Sequence, residues 1–248
     1  GVQKLLASFT PRGRVVSYGF SEGTDWCAGG LRPNEQGGVD FAALRDGEPL
    51  GAFRLAVPGT HNVLNALAAI AVGEAVGVDT ATMQAALGTF AGVSRRFEAV
   101  GTVGMVHIFD DYAHHPTEIR ATLQAARQRF GDMPLWVVFQ PHTFSRLSAL
   151  YDDFVSAFGA ADRVVVSDVF AARETGDSAA QSRRLAGDIR DAASVYRATQ
   201  PEIIDYLVES LPPRAVVLTL GAGDITSLGP RLRNALQERL ATQSGAPR

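Results

Sequence analysis

Met105-Val106-His107-Ile108-Phe109-Asp110-Asp111-Tyr112-Ala113-His114-His115-Pro116-Thr117-Glu118 is the stretch whose reading decides the fold. The mostly apolar run Met105–Phe109 reads as a buried strand, and an amphipathic segment from Thr117 to Phe130 reads as a helix. Polar chemistry is therefore concentrated at the carboxyl end of a strand, just before a helix. Open α/β sheets place ligands there, because strand-end loops leave backbone and side-chain groups facing a crevice. The two carboxylates and two imidazoles are too polar to fill a core, so they are solvated or they hold something. Pro116 disfavours helix at His115, and Thr117 is the expected cap of the helix that follows.

Working outward toward the C-terminus, strand and helix patterns alternate. Leu135–Phe139 is apolar throughout, as in a parallel strand buried on both faces. Arg163–Ser167, Val195–Ala198 and Ala215–Leu220 repeat the pattern. Helices are expected at Phe144–Phe158, Ala180–Ala192, Pro201–Ser210 and Asp224–Thr242. This order predicts an α/β fold with a Rossmann-like, doubly wound, mostly parallel sheet. Two further strand ends are polar. Phe139-Gln140-Pro141-His142-Thr143-Phe144-Ser145-Arg146 puts His142 and Arg146 on either side of a helix start. Gly221-Ala222-Gly223-Asp224 is a glycine turn that lets backbone approach a ligand before a helix. Three such ends in one sheet point to a ligand crevice.

Toward the N-terminus, residues 1–58 read as a short helix at Val2–Phe9 followed by strands at Arg14–Gly19, Val39–Leu44 and Gly51–Val57. Asp46-Gly47-Glu48 signals a hairpin, and the glycines at 23, 29, 30, 37 and 38 are expected in loops. Pro58-Gly59 then precedes a small-residue helix to about Val76, with Thr60 or Asn62 as cap. Asn62 and Asn65 share one face of its first turn. A carboxamide offers one donor and one acceptor to an adenine edge, and a capping plus a packing asparagine would look the same. A second helix runs from Val78 to Leu87 with Asp79 or Thr80 as cap, and a turn-rich boundary follows at Thr89–Ser94. Arg95-Arg96 after it could clamp phosphate or stand solvated.

Composition narrows the classes. A net charge of −3 gives no broad attraction to nucleic acid or an anionic membrane, and no run reaches bilayer-spanning length. The single Cys27 excludes an internal disulfide framework and fits a reducing cytoplasm. The start, Gly1-Val2-Gln3-Lys4, reads as a cut edge.

Taken in order, Gly59-x-His61-Asn62-x-x-Asn65-x-x-Ala68-Ala69, Arg95-Arg96-Phe97, the Asp110–Glu118 stretch, Phe139-Gln140-Pro141-His142 and Gly221-Ala222-Gly223-Asp224-Ile225 resemble the Mur ligases of peptidoglycan synthesis. The Asp-Asp-Tyr-x-His-His-Pro-Thr-Glu and Phe-Gln-Pro-His signatures resemble the L-alanine-adding branch most. The resemblance covers essentially the whole chain. It implies that residues 1–92 are the back half of a central ATPase domain and 93–248 a complete C-terminal domain. No G-x-x-x-x-G-K-[ST] phosphate loop occurs, and the only lysine is Lys4. The chain is therefore expected to be inactive alone.

The resemblance further implies ATP-dependent ligation of L-alanine to UDP-N-acetylmuramate through an acyl phosphate, in the cytoplasm, with Mg2+ held mainly by the missing part. By the same resemblance Asn62 and Asn65 hold adenine, Asp111 the ribose hydroxyls, and Arg96 the ribose or phosphates. His114 and Arg146 are the implied catalytic residues and lie nearest the alanine, with His142 as support. Arg146 pairs with the alanine carboxylate, and a neutral imidazole could take a proton from the ammonium, although His114 is expected to bind and orient rather than act as base. Thr143, Leu147 and Arg173 depart from the usual pattern and bear on alanine preference. Competing readings are a murein tripeptide-recycling ligase, a non-catalytic nucleotide-binding module, and a Rossmann-like oxidoreductase. The oxidoreductase is disfavoured because no G-x-G-x-x-G follows the first strand of the C-terminal half. A metal hydrolase using Asp110, Asp111, His114 and His115 is disfavoured because adjacent histidines splay apart.

Overall fold

The computed structural model describes Ser8 and residues 10–244, which fall into two units, Gly1–Phe90 and Ala91–Arg248. Of the helix expected at Val2–Phe9, all but Ser8 lies outside the described residues.

In the first unit, strands β1 (Tyr18–Gly19), β2 (Trp26–Pro33), β3 (Val39–Arg45) and β4 (Glu48–Leu55) form one sheet in that order. β1 runs parallel to β2, and the other pairs are antiparallel. Asp46 (φ 50°) and Gly47 (φ 84°) make the two-residue β3–β4 turn, both in the left-handed region that a type I′ hairpin requires. Strand β2 overturns the expectation that Gly29 and Gly30 lie in a loop. The glycines sit in the strand, where the register slips between Gly29 and Arg32, and a bulge at Gly30 (φ 63°) absorbs the extra residue. Helices α1 (Thr60–Ala75) and α2 (Thr80–Thr89) cover one face. Val63, Leu67 and Ile70 of α1 and Met83 of α2 pack on Trp26, Phe41 and Phe53.

The second unit is a six-stranded sheet: β5 (Glu98–Val103), β6 (Met105–Asp111), β7 (Leu135–Phe139), β8 (Arg163–Val166), β9 (Ala193–Tyr196) and β10 (Arg214–Leu220). Its order is β5-β6-β10-β7-β8-β9, parallel throughout except for β5 at one edge. The antiparallel β5 went unread in the sequence because Glu98-Ala99-Val100-Gly101 has little apolar alternation. Helices α3 (Pro116–Phe130), α4 (Phe144–Ala149), α5 (Tyr151–Val155) and α6 (Ser178–Asp188) link β6 through β9. Helix α7 (Gln200–Ser210) leads into β10, and a 3-10 turn (Asp224–Ser227) and α8 (Leu228–Ser244) end the unit.

Side-chain alternation along each strand divides the core in two. Val137, Phe139, Val164, Val166, Val216 and Leu218 meet α3 to α6 on one face. Trp136, Val138, Val165, Ala215 and Val217 meet α7 and α8 on the other. Each fully buried Leu, Ile or Phe contributes about 1.5–3 kcal/mol over its exposed state, so both faces must be covered. Same-direction crossovers put α3 to α6 on one side, and the return from β9 to β10 puts α7 on the opposite side. The expected helix Phe144–Phe158 is interrupted at Leu150 (φ −118°), although Leu150 N–H still donates to the Arg146 carbonyl.

Candidate functional site

The sheet order positions the site. Because β10 inserts between β6 and β7, the carboxyl ends of three neighbouring strands carry the three polar loops expected from sequence. This is the topological switch point of the sheet, where α/β proteins bind ligands.

At the end of β6, the two aspartates divide their work. Asp110 is 2% exposed; it accepts from Thr219 Oγ1 (2.5 Å), Thr226 Oγ1 (2.8 Å) and Arg95 Nε (3.2 Å). Arg95 also donates from Nη2 to the Gly221 carbonyl at 2.6 Å. Arg95 is thus turned into the protein, whereas the Arg96 side chain is 51% exposed, with Nη1 4.0 Å from Glu118 Oε1. Asp111 accepts the Phe97 N–H on Oδ2 and the Ala113 N–H on Oδ1, both at 2.8 Å. Burial pushes the Asp111 carboxyl above the ordinary aspartate range, against those two N–H groups and Arg96, which pull it down. Each oxygen keeps a lone pair for a hydroxyl donor. Both guanidiniums approach the Tyr112 ring, that of Arg95 at 4.8 Å and that of Arg96 at 5.7 Å from its centroid.

The loop after Asp111 corrects the expected cap. His115, not Thr117, is the N-cap of α3: its Nδ1 accepts the Thr117 N–H at 3.2 Å. Glu118 closes the capping box by accepting the His115 N–H at 3.2 Å, and also the His114 N–H at 3.0 Å. The spacing is that of a capping box, but histidine in the cap position hid it. His114 Nδ1 lies 2.9 Å from the Tyr112 carbonyl, which can only accept, so that nitrogen carries the proton. With the proton on Nδ1, Nε2 is the nitrogen left to accept whenever the ring is uncharged.

At the end of β7, Arg146 Nη1 donates to His142 Nδ1 at 3.1 Å and to the His142 carbonyl at 3.3 Å. A guanidinium only donates, so His142 is neutral with its proton on Nε2. Burial, then Arg146 and His114, lower the His142 pKa from its ordinary 6.5, which favours that state. The rings of His142 and His114 are 5.8 Å apart. The structure therefore brings His114, His142 and Arg146 together. Gln140 is instead structural, donating to Asp224 Oδ1 (2.7 Å) and accepting from the Ile225 N–H (3.2 Å).

The glycine turn also departs from expectation. A Cβ on Gly221 would lie 2.9 Å from the Gln140 carbonyl oxygen, and one on Gly223 would lie 2.6 Å from Phe170 Cγ. The close approach that demands glycine is to protein, and a four-residue 3-10 turn follows rather than a helix N-terminus.

In the first unit, Asn62 Nδ2 donates to the Pro58 carbonyl at 2.7 Å and Asn65 Nδ2 to Asn62 Oδ1 at 3.4 Å. Neither Thr60 nor Asn62 caps α1, which begins after Gly59 (φ 100°) with no side-chain cap. In α2, Asp79 caps as expected, accepting the Thr82 N–H at 2.9 Å. Asn65 is exposed in the second turn of α1, and its carboxamide oxygen accepts no hydrogen bond among the described residues.

Residues 95–223, which hold the edge strand, the first two polar strand ends and most of the glycine turn that forms the third, match the family described as Mur ligase, glutamate ligase domain. The chain belongs to the Mur ligase family. A UDP-N-acetylmuramate–L-alanine ligase of Frankia casuarinae is 42% identical over 246 residues, spanning 90% of this chain and 49% of the relative. One from Sorangium cellulosum is 40% identical over 252 residues, spanning 99% of this chain and 53% of the relative. The crystal structure of UDP-N-acetylmuramate–alanine ligase from Thermotoga maritima superposes with a TM-score of 0.74 at 29% identity, over 92% of this chain and 48% of that one. The chain thus spans about half the length of the relatives it matches.

Within the second unit, Arg96 presents a half-exposed guanidinium and each oxygen of the Asp111 carboxylate accepts one N–H, leaving lone pairs for further donors. Among the described residues no three His, Cys, Asp or Glu side chains gather into one group. No described helix is long and apolar enough to cross a membrane. Sequence reasoning missed the structural roles of Arg95 and Gln140, the capping role of Glu118, and Phe170, against which His142 stacks.

Proposed function

We propose that this Mur ligase chain is part of an ATP-dependent ligase that joins L-alanine to UDP-N-acetylmuramate in cytoplasmic peptidoglycan precursor synthesis. The observation that carries the reading is the His142–Arg146 pair beside His114 at the end of β7. A guanidinium whose neighbouring imidazole accepts from it keeps its other N–H groups for a carboxylate, which it can grip in a fork. The flanking imidazoles offer one N–H, at His142, and one lone pair, at His114. That set complements a small zwitterion: the carboxylate to Arg146, the ammonium to His114.

In the proposed reaction the muramate carboxylate attacks the γ-phosphorus of ATP, giving an acyl phosphate and ADP. The amine of alanine adds to the acyl carbon, phosphate leaves with the bonding pair, and the nitrogen loses its proton as the amide forms. Asn62 and Asn65 are the adenine-side groups of the first unit. Asp111 and Arg96 are the ribose- and phosphate-side groups of the second. Arg96 and Arg146 supply positive charge where phosphoryl and carboxylate charge must be held, which is most of what phosphoryl transfer asks of a protein. His114 orients the amine.

The test uses the complete protein encoded by the gene. ADP release should require UDP-N-acetylmuramate and L-alanine together, and Arg146→Ala should raise the KM for alanine at least tenfold while sparing that for ATP. Turnover with a muramyl-free tripeptide acceptor in place of alanine would move the reading to the recycling branch. Nucleotide binding without turnover of either substrate pair would leave a binding module.

A further inference from the structure

We propose that Phe170 is a positioning residue for the carboxylate-binding pair: it fixes the His142 ring, and through it the direction of Arg146. Three observations meet at this one residue, one on its backbone and two on its ring. Its backbone brackets His142, since the Phe170 N–H donates to the Pro141 carbonyl at 2.8 Å and its carbonyl accepts the Thr143 N–H at 2.9 Å. Its ring stacks on the His142 imidazole, with centroids 5.5 Å and planes 21° apart. Beyond the stack it meets the Gly223 backbone so closely that no Cβ fits there. The ring is therefore wedged between the ends of β7 and β10.

The wedge matters because the Arg146 bond depends on the plane of the imidazole. His142 accepts at Nδ1 only while that nitrogen faces the guanidinium, and a turn about the Cβ–Cγ bond would carry it away. Thr143 stands next to His142 at φ 66°, a conformation that a β-branched residue adopts only when its surroundings impose it. The bond from its N–H to Phe170 is part of that imposition. The same loop is strapped a second time: Glu174 accepts the Ser145 N–H at 2.9 Å, and Ser145 neighbours Arg146 on α4. The β8–α6 loop thus holds His142 from Phe170 and the start of α4 from Glu174.

The claim about the amino-acid ligand rests on the ligase reading; the claim about the imidazole does not. Two measurements separate them. In the first, the 248-residue chain carries 15N-labelled histidine, and His142 should show a single neutral tautomer protonated at Nε2. Phe170→Leu should give averaged ring-nitrogen shifts, and Phe170→Tyr, which keeps the stack, should restore the wild-type pattern. In the second, on the complete enzyme, Phe170→Leu should raise the KM for the amino acid about 2- to 10-fold, the worth of an aromatic pair, with the KM for ATP unchanged and with rescue by tyrosine. If the leucine variant melts below the assay temperature, Phe170→Met, which keeps the volume without the ring, takes its place. A leucine or methionine variant with the wild-type tautomer and wild-type KM overturns the proposal. An altered tautomer in a protein that never turns over alanine overturns the ligase reading and leaves the positioning role standing.

Discussion

Ser182 is fully buried on α6, and its hydroxyl is the one buried side-chain polar atom without a hydrogen-bond partner among the described residues. A buried hydroxyl without a partner costs about 1–3 kcal/mol, and serine is a poorer helix former than alanine. Ser182→Ala should therefore raise stability by about 1 kcal/mol, read as a higher denaturant midpoint at unchanged slope. Asp111 is the opposite case, a buried polar group that is used. Its folded pKa lies above the ordinary 3.8, with burial as the main cause. The folded state then binds the proton more tightly than the unfolded chain. The stability that Asp111 contributes is full below 3.8 and is lost as pH rises through the raised folded value. Asp111→Asn removes this dependence. The advantage of the wild type over the asparagine variant should widen as pH falls through that window and stay flat above it, measured by denaturation from pH 7 to pH 4. A gap independent of pH would mean that the carboxyl titrates alike in both states.

At the scale of the element, the best-read features were those where one force dominates. Leu135–Phe139 was legible to the residue, because five apolar side chains in a row have no polar face to offer water. The Asp46-Gly47 hairpin was legible because two left-handed residues in succession select those residue types. Strand β2 was not, since Gly29 and Gly30 signal a loop locally and only pairing with β3 makes them a bulge. The cap of α3 was misplaced for a related reason: His115 is not a typical capping residue, and its partner Glu118 is three residues on. The site followed the same rule. His114, His142 and Arg146 converge as their strand ends imply, whereas Arg95 and Arg96 look alike in sequence and only packing turns one inward. Two predictions belong here. Glu118→Ala removes the acceptor for the His114 and His115 N–H groups and should cost about 0.5–2 kcal/mol of stability. Gly223→Ala forces a methyl group against Gln140 and Phe170 and should cost about 1–3 kcal/mol. In Gly223→Ala, Phe170→Leu should recover part of the loss by making room, so the double variant should be less destabilised than the sum of the singles.

At the scale of the whole molecule, the two units carry separate cores. The first is built on Trp26, Phe41, Phe53, Leu67 and Ile70. The second has apolar clusters on both faces of a six-stranded sheet, with Phe139, Phe154, Val164 and Leu185 on one side and Ile203, Leu207, Val217 and Leu232 on the other. Each face of that sheet has its own apolar cluster, and about 150 residues is an ordinary domain size. Residues 91–248 expressed alone should therefore unfold in one cooperative transition, with far-ultraviolet dichroism and intrinsic Trp136 fluorescence changing at the same midpoint. Trp136 is the reporter of choice because it is the only tryptophan of that unit and lies 7% exposed in the α7–α8 cluster. The edge strand is the sharpest part of this test. Val103 of β5 is buried in the same cluster, and Val100 packs against it. Beginning the chain at residue 105 would strip β5 from β6 and remove Arg95 from the buried Asp110 carboxylate. Loss of an ion partner from a buried charge costs about 3–5 kcal/mol, a large share of the stability of any domain this size. The longer chain should fold and the shorter one should not; equal stability of the two would show that β5 and Arg95 hold nothing that the remaining five strands need.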